Sequence, residues 1–352
     1  MKRKSESLIP TGTITALLLG LLFAATHADA GATLYGVTGA GGTPSATLHI
    51  INQSDASLTP ILPLNDNNGG QVIAWNPNDG CMYHWTGWPQ ANALFEKIDL
   101  ETLTVTNIPL SGFQTNEIYG AAYNAASGNF LTTDVGRSLT MVTPDGQRTR
   151  IGTTPNWVRG LTFRGQTLYG GHNSLVPVNS LFEIDPATGA FLSTTPVTLA
   201  GYTVASFAAM AAHPDTGELW AVLLVLELPK KSRLLTKLDP QTGDATLVGA
   251  LPDFSGISSI AFVPDPVTFE STAQDIANGL AADLIDNSGV AQSLLAKLKA
   301  AAQAANDQPE TATRMLIAFA LELEAQSGKH LSPEMADLLL KDAAALIEAL
   351  GE

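Results

Sequence analysis

The sequence predicts an all-β propeller of five blades, its N- and C-terminal strands closing one blade, followed by a small all-α helical bundle. Three observations carry this. One turn phrase recurs as Ile98-Asp99-Leu100-Glu101-Thr102, Val142-Thr143-Pro144-Asp145-Gly146, Ile184-Asp185-Pro186-Ala187-Thr188-Gly189 and Leu238-Asp239-Pro240-Gln241-Thr242-Gly243, each copy ending one apolar run and starting another. A second phrase alternates with it: Pro77-Asn78-Asp79-Gly80, Ser127-Gly128-Asn129, Gly165-Gln166-Thr167 and Pro214-Asp215-Thr216-Gly217. Two turn signals alternating at a period of roughly 40–50 residues mark a radially repeated β fold. After Asp265-Pro266, the composition changes sharply to Ala, Leu, Gln and charged residues.

In chain order, the first element reads as a signal peptide over residues 1–30. Lys2, Arg3 and Lys4 form its charged region, Ile14 to Ala25 its apolar core, and Ala28-Asp29-Ala30 a small-x-small cleavage site before Gly31. The apolar core is about a dozen residues, short of the ~20 that span a bilayer, so no membrane insertion is expected after cleavage. The expected address is secreted or periplasmic.

The propeller is expected over residues 31–266. Its inner strands read Val72–Trp75, Ile118–Tyr123, Val158–Phe163, Ala205–Ala212 and Ile257–Val263, and its fourth strands Thr104–Pro109, Gln147–Ile151, Ala190–Pro196 and Asp244–Val248. The first unit, Thr33–Val37, Ala46–Ile51 and Ser57–Leu62, lacks an inner strand, and the last unit is an inner strand alone. The C-terminal strand therefore completes the N-terminal blade, which leaves no long free sheet edge. Asp-Pro-x-Thr-Gly suits a type I turn with Gly in the left-handed position, so its recurrent Asp reads as a turn cap and not as a catalytic or metal residue.

A linker at 267–273 leads to helices predicted at Thr272–Ile285, Val290–Ala305, Glu310–Gln326 and Pro333–Leu350, the last with Ser332 as cap and Pro333 at its first position. Within residues 274–352, Gly289, Leu294-Leu295-Ala296-Lys297-Leu298, Phe319, Ser327-Gly328-Lys329, Leu331-Ser332 and Asp342-Ala343 resemble the FIMAH-type domain of exported bacterial proteins. The resemblance implies an exported accessory module. The propeller resembles, more loosely, the quinoprotein-like or WD40-like repeat class, which implies fold and not function.

The formal net charge of −15 argues against nucleic acid and anionic membrane surfaces as partners, since both need clustered Lys and Arg. Cys81 is the only cysteine and makes no internal disulfide, so it reads as a structural thiol. Asn65-Asp66-Asn67-Asn68-Gly69-Gly70 looks like an oxygen-ligand loop but lacks the following bidentate Glu, so no metal is expected, and no cofactor.

In a propeller the loops between second and third strands share one face with the loops entering the next inner strand. Here those loops are long and varied, and carry the expected ligand-binding set of His84, Trp85, Trp88, Asp134, Arg137, Trp157, Arg159, His172, Asn173 and Tyr202, with Phe113, Gln90 and Asp66 near by. Aromatic planes beside hydrogen-bonding groups suit sugar rings or peptide segments. The reading is an exported, non-catalytic recognition protein binding a glycan or a peptide of an envelope or extracellular protein. The alternative is a polysaccharide hydrolase or lyase on the same face, with Asp134 and His172 as acid and base; the inner strands carry no carboxylate pair. A third reading makes the propeller a spacer and the helices the contact.

Overall fold

The computed structural model describes residues 31–39, 42–65, 71–86, 93–115, 117–172, 179–227, 230–252 and 256–351. The expected signal peptide, Asp66, Trp88, Gln90 and Asn173 lie outside the described residues. Strands β1 (Ala32–Thr38), β2 (Thr47–Ile51) and β3 (Leu58–Pro63) begin the first blade. β4 (Val72–Asn76), β5 (Cys81–Thr86), β6 (Leu94–Asp99) and β7 (Thr104–Asn107) make the second. The third contains β8 (Ser111–Gly112), β9 (Ile118–Asn124), β10 (Asn129–Asp134), β11 (Ser138–Val142) and β12 (Gln147–Thr153). β13 (Val158–Arg164), β14 (Thr167–His172), β15 (Ser180–Ile184) and β16 (Phe191–Pro196) form the fourth. The fifth is built from β17 (Thr198–Leu199), β18 (Thr203–Ala212), β19 (Leu219–Glu227), β20 (Lys230–Leu238) and β21 (Asp244–Ala250).

The last strand, β22 (Ile257–Pro264), pairs antiparallel with β1 from Ala32↔Pro264 to Thr38↔Ile257 and so supplies the inner strand of the first blade. The five inner strands β22, β4, β9, β13 and β18 pack in a closed circle around the axis. That approach is tight. Gly160 has φ +67, and a Cβ on it would lie 2.7 Å from the backbone nitrogen of Met210 on the next inner strand, so only glycine fits there. Two elements escaped the sequence reading: β8 and β17 are two residues long and run parallel to β12 and β21 at the outer edges of their blades.

The turn phrase has the predicted chemistry. The carboxylates of Asp99, Asp185 and Asp239 accept the backbone N–H two residues on, at 2.9, 2.9 and 2.8 Å. Hydrogen bonds to the ionised form hold all three pKa values below the ordinary carboxylate range. Gly189 and Gly243 take the left-handed position at φ 82 and 79, and in the first copy Leu103 occupies the matching place at φ 54.

The helical region comprises α1 (Phe269–Ala281), α2 (Ser288–Ala305), α3 (Pro309–Gln326) and α4 (Pro333–Ala349). α1 starts three residues earlier than predicted because Thr268 and Ser271 form a reciprocal capping box, and it ends earlier where Asp283 turns left-handed at φ 56. Ile276, Leu294, Leu298, Leu316, Phe319 and Leu339 fill its core.

Candidate functional site

The loop-side end of the ring is built where chain segments enter the inner strands. Arg159 and Tyr119 hold equivalent places there, each one residue into its strand, on β13 and β9. The Arg159 guanidinium lies over the Tyr119 ring, 4.7 Å from its centroid, a cation–π geometry. Burial pulls the Arg159 pKa below its ordinary value, against the smaller raising effects of Tyr119 and Glu117. Arg233, at the start of β20, is also lowered, by burial first and then by the like charge of Arg159. Among the described residues neither guanidinium has a carboxylate within ion-pair distance, and Nε of Arg233 is buried without a hydrogen-bond partner. Two partly buried guanidinium groups that repel each other, with Glu117 acting favourably on Arg159, make this end of the axis locally basic.

Trp157 stands two residues before Arg159 and is 44% exposed. Its Nε1 donates to the carbonyl of Val135 at 3.0 Å, which pins the indole across the seam between the third and fourth blades while leaving ring surface open. Arg137 is exposed with φ 62, and its Nη1 donates to the Pro155 carbonyl at 3.1 Å on the same rim.

Of the other expected binding residues that are described, His84, Trp85, Asp134 and His172 are inside the protein and Tyr202 is half-buried. Trp85 is 2% exposed, stacked on Phe95 at 4.7 Å and edge-on to Phe130 at 5.0 Å. Neighbouring blades cover both faces of a propeller strand, so adjacent residues of β5 are both buried, and an aromatic at a strand end is core rather than rim. His84 is wholly buried, between Glu96 Oε2 at 2.9 Å and Gln71 Oε1 at 2.5 Å, and Asn65 donates to the other Glu96 oxygen at 2.5 Å. Burial alone raises Glu96; the hydrogen bonds from His84 and Asn65 outweigh it and leave the carboxyl below its ordinary value.

Asp134 is buried and its Oδ1 accepts the Ser138 N–H at 2.8 Å, capping the turn between β10 and β11. His172 is buried edge-on against Phe182. Tyr202 packs its ring on Leu199, Val225 and Leu234 of the fifth blade, and Phe113 lies under Arg150. Of the residues named from the sequence, Arg137, Trp157 and Arg159 lie at this end of the ring, beside Tyr119, Glu117 and Arg233, which the sequence reading did not name. Aligning the second residue of each inner strand would have paired Tyr119 with Arg159. Arg233 sits in Lys230-Lys231-Ser232-Arg233, a basic run in an acidic chain.

The opposite end of the axis is apolar. Three consecutive residues from each inner strand, among them Trp75, Tyr123, Phe163, Ala212 and Phe262, line a cavity of about 310 Å³ on the tight-turn face. Among the described residues no group of three or more His, Cys, Asp or Glu side chains is placed to hold a metal ion. No helix among them is long and apolar enough to cross a membrane.

No protein-family model matches the chain, and no curated protein matches it. Among solved structures it is similar to a structural-genomics protein of unknown function from Bacteroides thetaiotaomicron VPI-5482, at 15% identity and a TM-score of 0.42, over 64% of this chain and 59% of that one. It is also similar to an engineered GH43 glycoside hydrolase displaying endo-xylanase and exo-arabinofuranosidase activity, at 12% identity and a TM-score of 0.38, over 51% of this chain and 41% of that one. The chain thus spans about three fifths of the first structure and two fifths of the second.

Proposed function

We propose that this is an exported recognition protein whose propeller binds an acidic glycan at the loop-side end of its axis. The observation that supports it is the pair Arg159 and Arg233, desolvated and near each other with no carboxylate partner among the described residues. Holding guanidinium groups in that state costs free energy unless a ligand carboxylate completes them with charge-assisted, bidentate hydrogen bonds. Trp157 favours a sugar over a peptide, because a fixed, half-exposed indole face stacks on the C–H face of a pyranose ring. The helical region, by its FIMAH-like residues, is read as an accessory module carried with the propeller.

A second reading has its own support. In a lyase acting on uronate glycans an arginine neutralises the substrate carboxylate and a phenol moves a proton, and Arg159 over Tyr119 presents both groups together. Calorimetry against oligouronates and their neutral counterparts, followed by product analysis, tests both. Saturable binding of the acidic oligomer alone, weakened at least about tenfold by Arg159→Ala, is the expected result. Equal binding of neutral and acidic oligomers overturns the acidic-glycan reading, and unsaturated products that vanish in Tyr119→Phe convert it to the lyase.

A further inference from the structure

A second cluster of charge lies far along the chain from the arginines, where the helical region meets the first and fifth blades. A small cavity of about 80 Å³ there is lined by Asp215 of the β18–β19 turn, Asp265 after β22, Asp275 of α1, Asp342 of α4, and Gly31. Asp342 is 6% exposed, and its Oδ2 accepts no hydrogen bond. Burial and then the neighbouring Asp275 push its carboxyl up to about 6. Asp275 is raised by burial, and Asp215 by burial and by Asp275 and Asp265, against the pull of His213 and Lys341.

Among the described residues the cations that face this group are His213 and Lys341, and their pull is outweighed at Asp215 by burial and the neighbouring carboxylates. Nδ1 of His213 is 4.0 Å from Asp215 Oδ2, a long contact, and the same nitrogen faces the backbone N–H groups of Asp215 and Thr216 at 3.3 and 3.4 Å. Lys341 is bound to Asp337 at 2.8 Å. Four carboxylates, those of Asp275 and Asp342 buried or half-buried and those of Asp215 and Asp265 at the exposed mouth, therefore line a cavity to which the described residues contribute no lysine or arginine.

Gly31 supplies the missing term. Its carbonyl accepts the Asp265 N–H at 2.7 Å and the next residue, Ala32, pairs with Pro264, so this backbone is fixed in the seam. It has φ +83, and a Cβ built on it would lie 2.7 Å from Asp215 Oδ2, so that carboxylate faces the glycine. The Gly31 nitrogen is bonded to that Cα, ~1.46 Å away. The sequence places leader cleavage immediately before this residue.

We propose that leader removal between Ala30 and Gly31 creates the cation of this site, the Gly31 α-ammonium pairing with Asp215 and the junction carboxylates to lock the helical region onto the propeller. The covalent step is hydrolysis by an endopeptidase that processes exported chains. Water adds across the Ala30–Gly31 amide, its oxygen completing the Ala30 carboxylate and its protons leaving Gly31 as an ammonium group. An α-amine with an ordinary pKa of ~7.7–8.0 is charged at neutral pH, and its three N–H donors suit oxygen acceptors on several sides. The left-handed φ of +83 favours glycine at 31, and a side chain there would push the Asp215 carboxylate away from the amine.

Three chains test the lock: one beginning at Gly31, one retaining Asp29-Ala30 ahead of it, and Asp215→Asn in the first, with circular dichroism to confirm the fold of each. The readouts are the rate of amine-selective labelling of the N-terminus across pH and the melting temperature. The Gly31 amine is expected to label about tenfold more slowly at neutral pH than that of the extended chain, a pKa raised by about one unit. Asp215→Asn is expected to restore ordinary labelling. In the extended chain the cluster stays uncompensated, so its melting temperature falls by several degrees relative to the Gly31 chain as pH rises through about 6, and the two converge near pH 4. Equal labelling and equal melting of the first two chains overturn the proposal. So does a mature N-terminus other than Gly31, found by mass spectrometry of the chain recovered from an exporting host.

Discussion

Two pairs of ionisable groups in the propeller have had opposite treatment. His84 and Glu96 are wholly enclosed and answered on every side, by each other, by Gln71 and by Asn65. Arg159 and Arg233 are partly exposed and lie near each other's like charge, with Glu117 acting on Arg159 but making no ion pair with it. A polar group taken out of water must be hydrogen-bonded or paired, or it destabilises the fold. The first pair satisfies that rule internally and so holds structure together. The second does not satisfy it among the described residues, and the proposed acidic ligand would supply the partner.

The sharpest way to break the comparison is to remove one member of each pair. His84→Ala leaves Glu96 buried and uncompensated and is expected to cost about 3–5 kcal/mol in urea unfolding, with oligouronate affinity unchanged in the folded fraction. Trp85→Ala belongs with it: the ring is core, and its loss is expected to cost about 3–5 kcal/mol without a specific effect on binding. Arg159→Ala should do the reverse, lowering affinity by about 10- to 100-fold while stability stays level or rises by up to about 1 kcal/mol as the repulsion with Arg233 is relieved. If Arg159→Ala instead unfolds the protein and His84→Ala abolishes binding, the assignments are inverted.

Titration sharpens the same contrast. Glu96 is held below its ordinary value, so its contribution to stability is present above the unfolded carboxylate pKa of about 4.3 and lost as pH falls through the folded value. Urea midpoints should therefore drop more steeply on acidification in the wild type than in a Glu96→Gln chain. The smallest effect expected lies at Leu103, which holds a left-handed φ of 54 where two sister turns carry glycine. Leu103→Gly should stabilise by about 0.5–1 kcal/mol, read as a rise in the urea midpoint.

The ring was legible in the sequence because its punctuation is chemical: Asp caps, Pro-set turns and left-handed glycines recur wherever a strand must reverse. Residues such as Ile118, Val158 and Ile257 begin inner strands at the positions the pattern implied. The site was only half legible. Trp157 and Arg159 follow from loop position, but Trp85 does not, because the period-two rule that sorts inside from outside fails where both faces of a sheet are covered. Tyr119 and Arg233 were missed because what marks them is their surroundings, the Arg159 guanidinium over one ring and the buried Nε of the other, which show only in three dimensions. β8 and β17 left no trace, since two residues carry no periodicity.

The pairing of β22 with β1 also governs how the chain folds. Thr33 hydrogen-bonds Asp265 across 232 positions of sequence, so the first three strands wait for their inner partner until nearly every other blade exists. Contacts between such distant stretches make ring closure a slow, late event. Until it happens β1 is an open template, and for that interval intramolecular closure competes with pairing to a strand of another chain.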